Sequence, residues 1–131
     1  LFTHAGVTHV WWKNLIDWFD GRGIDTKGME VDEVINLAAQ FNLDIFKFTD
    51  GRYFDPHGNE VCQTPIWVRP EALMKARLGD YFHVVGHTFG DPEVLTDDNP
   101  GGVIKIDALS LGYYLMIQDG NHEINRLERW T

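Results

Sequence analysis

Cysteine, positive charge and long apolar runs are all scarce in this 131-residue chain, and each scarcity removes a class of protein. The one cysteine, Cys62, has no partner for an internal disulfide. That disfavours a secreted disulfide scaffold and fits a reducing, cytoplasmic compartment. Eleven Lys and Arg face 20 Asp and Glu, a formal net charge of −9, with no basic run anywhere. Such a chain repels nucleic-acid phosphates, so no nucleic-acid binding is expected. No stretch approaches the about 18 consecutive apolar residues that mark a membrane span, so no membrane association is expected. Glycine-rich phosphate loops, Ser-His-Asp signatures and Cys-x-x-Cys metal spacings are absent as well.

What is present supports a packed core. Hydrophobic residues make up 44% and aromatic ones 13%, and the length fits one domain over residues 1–131. Leu1-Phe2-Thr3 is already an apolar β-type run, with no methionine, cap or polar lead-in, which reads as a cut inside a larger protein. Val10 to Phe19 carries apolar positions at helical spacing. A second helical stripe runs from about 31 to 47, with Asp32 placed to cap it. Residues 49–65 read as a long loop. Ile66-Trp67-Val68-Arg69 reads as a short strand, and Pro70 then suits the first turn of a helix. Strands follow at Tyr81–Val85, Val103–Ile106, Tyr113–Ile117 and Ile124–Trp130, with a turn-rich stretch from Phe89 to Gly102. Gln118-Asp119-Gly120 reads as the hairpin turn between the last two strands. Helices come first and strands cluster late, which predicts an α+β fold with a mixed, largely antiparallel sheet and flanking helices.

Two short segments carry the chemical signal. Leu1-Phe2-Thr3-His4-Ala5-Gly6 and Val84-Val85-Gly86-His87-Thr88 are β-type runs that each end in a histidine beside a glycine. Strand ends are rigid supports, and a neighbouring glycine lets backbone approach a ligand closely. Neutral imidazole is a good ligand for zinc, manganese or iron, so His4 and His87 are expected to converge on one metal ion. The bland alternative is a pair of structural histidines closing two strands. Thr88 is placed to supply supporting hydrogen bonds. Asp107 has two readings, orienting a ligand histidine or capping a turn. Arg69 also has two, a phosphate grip through its planar fork or a surface ion pair. His9, His83 and Cys62 read as structural, and Trp11, Trp12 and Trp18 as core or packing face rather than a nucleic-acid platform.

The His-Ala-Gly and Gly-His-Thr segments, with Ile106-Asp107 and Gly112 after them, resemble the last two metal-ligand motifs of the calcineurin-like metallophosphoesterases. Trp67-Val68-Arg69 is similar to a Trp-x-Arg segment of bacterial members, in which the arginine contacts the substrate phosphate. The branch it resembles contains bacterial serine/threonine protein phosphatases and symmetrical dinucleoside tetraphosphatases. The resemblance implies the C-terminal half of a four-layer αββα sandwich. It implies metal ligands at His4 and His87, a phosphate contact at Arg69, and supporting roles at Thr88 and Asp107. It implies two divalent ions (Mn, Fe or Zn) that activate water for in-line attack on phosphorus. The expected substrate is phosphorylated, a phosphoprotein or a nucleotide. The expected partners are a missing N-terminal half or a second copy of the chain.

Two further matches fall out of family order. Asp55-Pro56-His57-Gly58-Asn59 echoes the family's opening motif, and Gly120-Asn121-His122-Glu123 spells its Gly-Asn-His-Glu motif. Both follow His4 where the family places them before it, so both are read as coincidence. The metal motifs that open the family are otherwise missing, so the expectation is an incomplete phosphoesterase, inactive in isolation. The other class kept open is a non-catalytic binding or self-associating domain.

Overall fold

The computed structural model describes residues 1–48, 57, 59–96 and 101–127. Most of the expected 49–65 loop, including Asp55 with Pro56 and Gly58, residues 97–100 of the turn-rich stretch, and residues 128–130 of the expected last strand lie outside them.

Helix α1 (His9–Asp20) starts where Thr8, in extended geometry, accepts a hydrogen bond from the Trp11 N–H through its side chain. That satisfies one of the donors a helix leaves free at its start. Its buried positions, Trp11, Leu15 and Phe19, repeat every four residues and form one stripe. Helix α2 (Val31–Phe41) opens on a reciprocal cap between Glu30 and Glu33, so Glu30 is its N-cap and Asp32 sits in the first turn. The expected helix to residue 47 stops earlier. Asn42 takes extended geometry (φ −162°, ψ 113°) and caps a separate 3-10 turn over Leu43–Phe46 through the Asp44 N–H. The α1 and α2 stripes, with Val7 and Leu78, make the first core cluster, and Trp12 and Trp18 pack on its margin.

Residues 66–69 form no strand. The Thr64 carbonyl accepts from both Trp67 N and Val68 N, and its hydroxyl from Ile66 N, so the segment is a helical turn leading into α3 (Pro70–Ala76). Buried Ala72 and Leu73 of α3 pack with Ala5, Val68, Val85 and Val103 in the second cluster, against the sheet.

The main sheet has the order β1-β2-β4-β3, with β1 at Phe2–Thr3, β2 at His83–Val85, β3 at Glu93–Thr96 and β4 at Val103–Lys105. The architecture is α+β with a mixed sheet. The balance within that sheet differs from the expected antiparallel one: β1 pairs with β2 and β2 with β4 in parallel, and only β3 runs against β4. Parallel pairing needs a long crossover, and α1, α2 and α3 supply it between β1 and β2. Strand β3 lies inside the stretch expected to be turns, paired across a bulge at Val94/Thr96. A separate hairpin joins β5 (Tyr113–Gln118) to β6 (Asn121–Arg126). Its turn has positive φ at both Asp119 (51°) and Gly120 (78°), the geometry that matches strand twist in a two-residue loop.

Candidate functional site

The parallel register fixes where the two histidines end up. Phe2 pairs with Val84 and Thr3 with Val85, and the Gly86 N–H then donates to the His4 carbonyl at 2.9 Å. His4 and His87 therefore leave the C-terminal ends of adjacent strands on one rim. His4 Nε2 lies 2.9 Å from His87 Nδ1, across 83 residues of sequence. One ring donates its N–H and the other accepts. Strand β4 reaches the same rim, since its register with β2 carries it toward Asp107 beside His87. In open sheets with parallel strands, ligands bind outside the carboxyl ends of the strands.

The neighbouring glycines play other parts than the sequence assigned them. Gly6 has φ +114°, and a Cβ there would stand 2.4 Å from Leu73 Cδ2, so its bareness serves the packing of α3 on β1. At Gly86 a Cβ would meet nothing closer than 3.6 Å, an ordinary contact. The unusual backbone belongs to His87 itself, at φ 61°. A non-glycine residue in that region is held against about 1–2 kcal/mol of steric cost, and such residues cluster at functional sites.

Arg69, the N-cap of α3, reaches the rim from the side. Its Nε donates to the His57 carbonyl at 2.7 Å and Nη1 to Thr88 Oγ1 at 3.4 Å. Thr88 thus braces Arg69 rather than either histidine. The out-of-order His57 segment touches the site through its backbone carbonyl to Arg69. His122 lies in the hairpin, its ring 4.9 Å from that of Phe82. The side chain of Asp107 makes no hydrogen bond to a histidine among the described residues, although its charge acts on His87. Its carbonyl accepts from Gly90 N at 3.3 Å.

Trp67, to which the sequence assigns no site role of its own, is 42% exposed and packs on the site. Its ring stands 6.1 Å from that of His87 at 82°, and Phe48 stands 5.6 Å away on Trp67 at 88°. The signal available was its position two residues before Arg69. His83 is fully buried, with Nε2 3.3 Å from the Leu78 carbonyl and Nδ1 without a partner among the described residues.

His87 is held below the usual imidazole pKa, first by burial and then by His4 and Arg69, with Asp107 opposing. Its Nε2 is buried with no partner among the described residues. Two ligand nitrogens at about 2.1 Å from a tetrahedral zinc lie roughly 3.4 Å apart, so the 2.9 Å His4–His87 pair needs only a small opening to hold one ion. A binuclear centre is another matter: among the described residues no group of three or more His, Cys, Asp or Glu converges on a metal position. Nor is any helix among them long and apolar enough to cross a membrane.

Comparison with protein-family models, curated proteins and solved structures gave no match in any of the three.

Proposed function

We propose that this chain forms one wall of a metal-dependent phosphoesterase site of the kind its motifs resemble, with the remaining metal ligands supplied from outside these 131 residues. The observation that carries the reading is the 2.9 Å approach of His4 Nε2 to His87 Nδ1 at the ends of neighbouring parallel strands. Two imidazole lone pairs aimed at one point repel unless a proton or a cation lies between them. In this reading His4 and His87 hold one ion of a Mn, Fe or Zn pair, and Arg69 binds two oxygens of a phosphoryl group. Bound metal supplies Lewis acidity and lowers the pKa of a coordinated water. Arg69 neutralises charge on the phosphoryl oxygens, and its bonds to His57 and Thr88 keep the guanidinium from swinging away. The substrate is a phosphorylated protein or nucleotide, and the partner is the missing half of the domain.

Two histidines fall short of the three or four protein ligands of an ordinary zinc site. The chain alone is therefore expected to bind metal weakly and to leave p-nitrophenyl phosphate intact. Calorimetric titration with Zn²⁺ tests the metal half of the proposal. One equivalent should bind, and His4→Ala or His87→Ala should each abolish it.

A second reading has its own support. The mutual hydrogen bond of the two rings also serves as a clasp between strand ends. In that case no metal heat is seen, and His87→Ala lowers stability without changing any binding. A self-associating domain would show itself as a larger particle in solution than one chain.

A further inference from the structure

Holding a metal and a phosphate does not require Trp67, yet the fold keeps its indole at the rim. The turn that begins at Thr64 sends Val68 into the core, 1% exposed, and leaves Trp67 at 42%. Phe48 and His87 both stand nearly perpendicular to the indole, at 88° and 82°. They fix its orientation from two segments distant in sequence. Among the described residues no ring lies flat against it. Aromatic surface of this kind favours a planar partner in offset stacking.

We propose that Trp67 is a specificity-determining residue that receives the flat ring of an aryl phosphoester, one whose aromatic group sits on the bridging oxygen of the phosphate. The inference rests on the phosphate role of Arg69. Trp67 lies two residues before Arg69 and beside His87, so a ring attached directly to the phosphoryl group is placed to reach it. An aliphatic ester brings no ring to this place. The aryl ester has phosphate and ring in adjacent positions, as the rim has Arg69 and Trp67.

The test is competitive binding to the full chain, with inorganic phosphate as the reference ligand and phenyl phosphate set against methyl phosphate. Stacking on one aromatic side chain predicts phenyl phosphate at least about fivefold tighter than methyl phosphate. Trp67→Ala should bring that ratio to about one, and Trp67→Phe should retain most of it. Far-ultraviolet circular dichroism checks that each variant folds. Intact phosphate binding with a phenyl-to-methyl ratio near one overturns this inference alone. So does a ratio that survives Trp67→Ala. A preference for adenosine 5′-phosphate over ribose 5-phosphate that exceeds the phenyl-to-methyl ratio overturns it in favour of a base-binding rim. No binding of inorganic phosphate, or binding that Arg69→Ala leaves unchanged, overturns the phosphate reading and this inference with it.

Discussion

Gly6→Ala is the sharpest test of how this fold positions its rim. The new Cβ would lie 2.4 Å from Leu73 Cδ2 and 2.7 Å from Cδ1, inside any real contact distance. Leu73 is fully buried among Ala5, Val68, Val85 and Val103, so it has no open side to turn toward. Overpacking of this kind costs about 1–3 kcal/mol. Backbone at φ +114° adds a second penalty, about 1–3 kcal/mol for a residue with a side chain. The expected loss is therefore about 2–6 kcal/mol, a large part of the about 5–15 kcal/mol that holds a domain together. Urea unfolding followed by circular dichroism measures it. Leu73→Ala alone should cost about 2–5 kcal/mol through the cavity it leaves. In the double variant the steric part disappears and the backbone part stays. The two losses should then fall short of additivity by about 1–3 kcal/mol. Gly6 is two residues past His4, and Leu73 is four past Arg69, so loosening this contact should also weaken Zn²⁺ binding. A Gly6→Ala chain within about 0.5 kcal/mol of the parent, or fully additive losses, would refute the packing argument.

Three other outcomes are expected. At His87 the usual ranking should invert: the His87→Gly chain should be more stable than the His87→Ala chain by about 1 kcal/mol in the same urea assay, because φ is 61° there. Equal stabilities, or Ala ahead, would mean that position 87 does not hold that conformation in solution. Burial, helped by the charges of the Leu1 amino group and Arg77, keeps the folded pKa of His83 below its ordinary 6.5, with the Leu78 carbonyl opposing. Above pH 6.5 neither state of that ring is protonated, and stability is at its full value. As pH falls from there toward the folded pKa, only the unfolded chain takes up the proton. Stability should then drop by up to about 1.4 kcal/mol per pH unit, and His83→Gln should remove that part of the slope in denaturation curves measured from pH 7 to 5. Finally, the 131-residue chain should show no manganese-dependent hydrolysis of p-nitrophenyl phosphate, and, if the proposed function holds, adding in trans a segment that carries the other metal ligands should bring turnover that His87→Ala abolishes. Robust turnover by the chain alone, lost on mutating His57 or His122, would mean that the two out-of-order motifs are the working site.

The elements legible from sequence are those whose pattern is local. The stripe of Trp11, Leu15 and Phe19 announces α1, and Asp119-Gly120 announces the hairpin turn. The misreadings have specific causes. Ile66-Trp67-Val68 is a short apolar run that suits strand or helix equally, and the cap at Thr64 decides for the helical turn. The α2 stripe continues past residue 41 in period, but Asn42 bonds to Asp44 N and starts a new turn. Strand β3 is four residues long and, among the described residues, pairs only with β4, so little in its own sequence marks it. Parallel pairing is invisible locally, because it depends on which strands the crossover brings together. In the candidate site, the two glycine-flanked histidines were legible as a pair. The reason for the glycines was not, since Gly6 answers to Leu73, 67 residues on, which only the packed fold brings near.

The charges around the rim decide whether a metal and a phosphate can share it. The chain as a whole is strongly acidic, at −9, which by itself would push a phosphoester away. Arg69 stands at the rim with Thr88 and the His57 carbonyl as its partners there, neither of them charged. Its positive charge thus remains unneutralised by these contacts and open to an anion. The same charge, together with burial and His4, lowers the pKa of His87. That effect keeps the imidazole neutral, and only the neutral ring has a lone pair to give a metal. Asp107 works the other way, but it does not bond the ring among the described residues. In the proposed function, one cation would prepare His87 for metal and attract phosphate at once, which removes the conflict between the two tasks. Replacing Arg69 by Met should therefore weaken phosphate binding and also raise the pKa of His87. Nuclear magnetic resonance titration of the imidazole C–H signals in the metal-free chain reads the second effect directly. An unchanged His87 midpoint in the Met variant would show that Arg69 lies too far from the ring, in solution, to serve both.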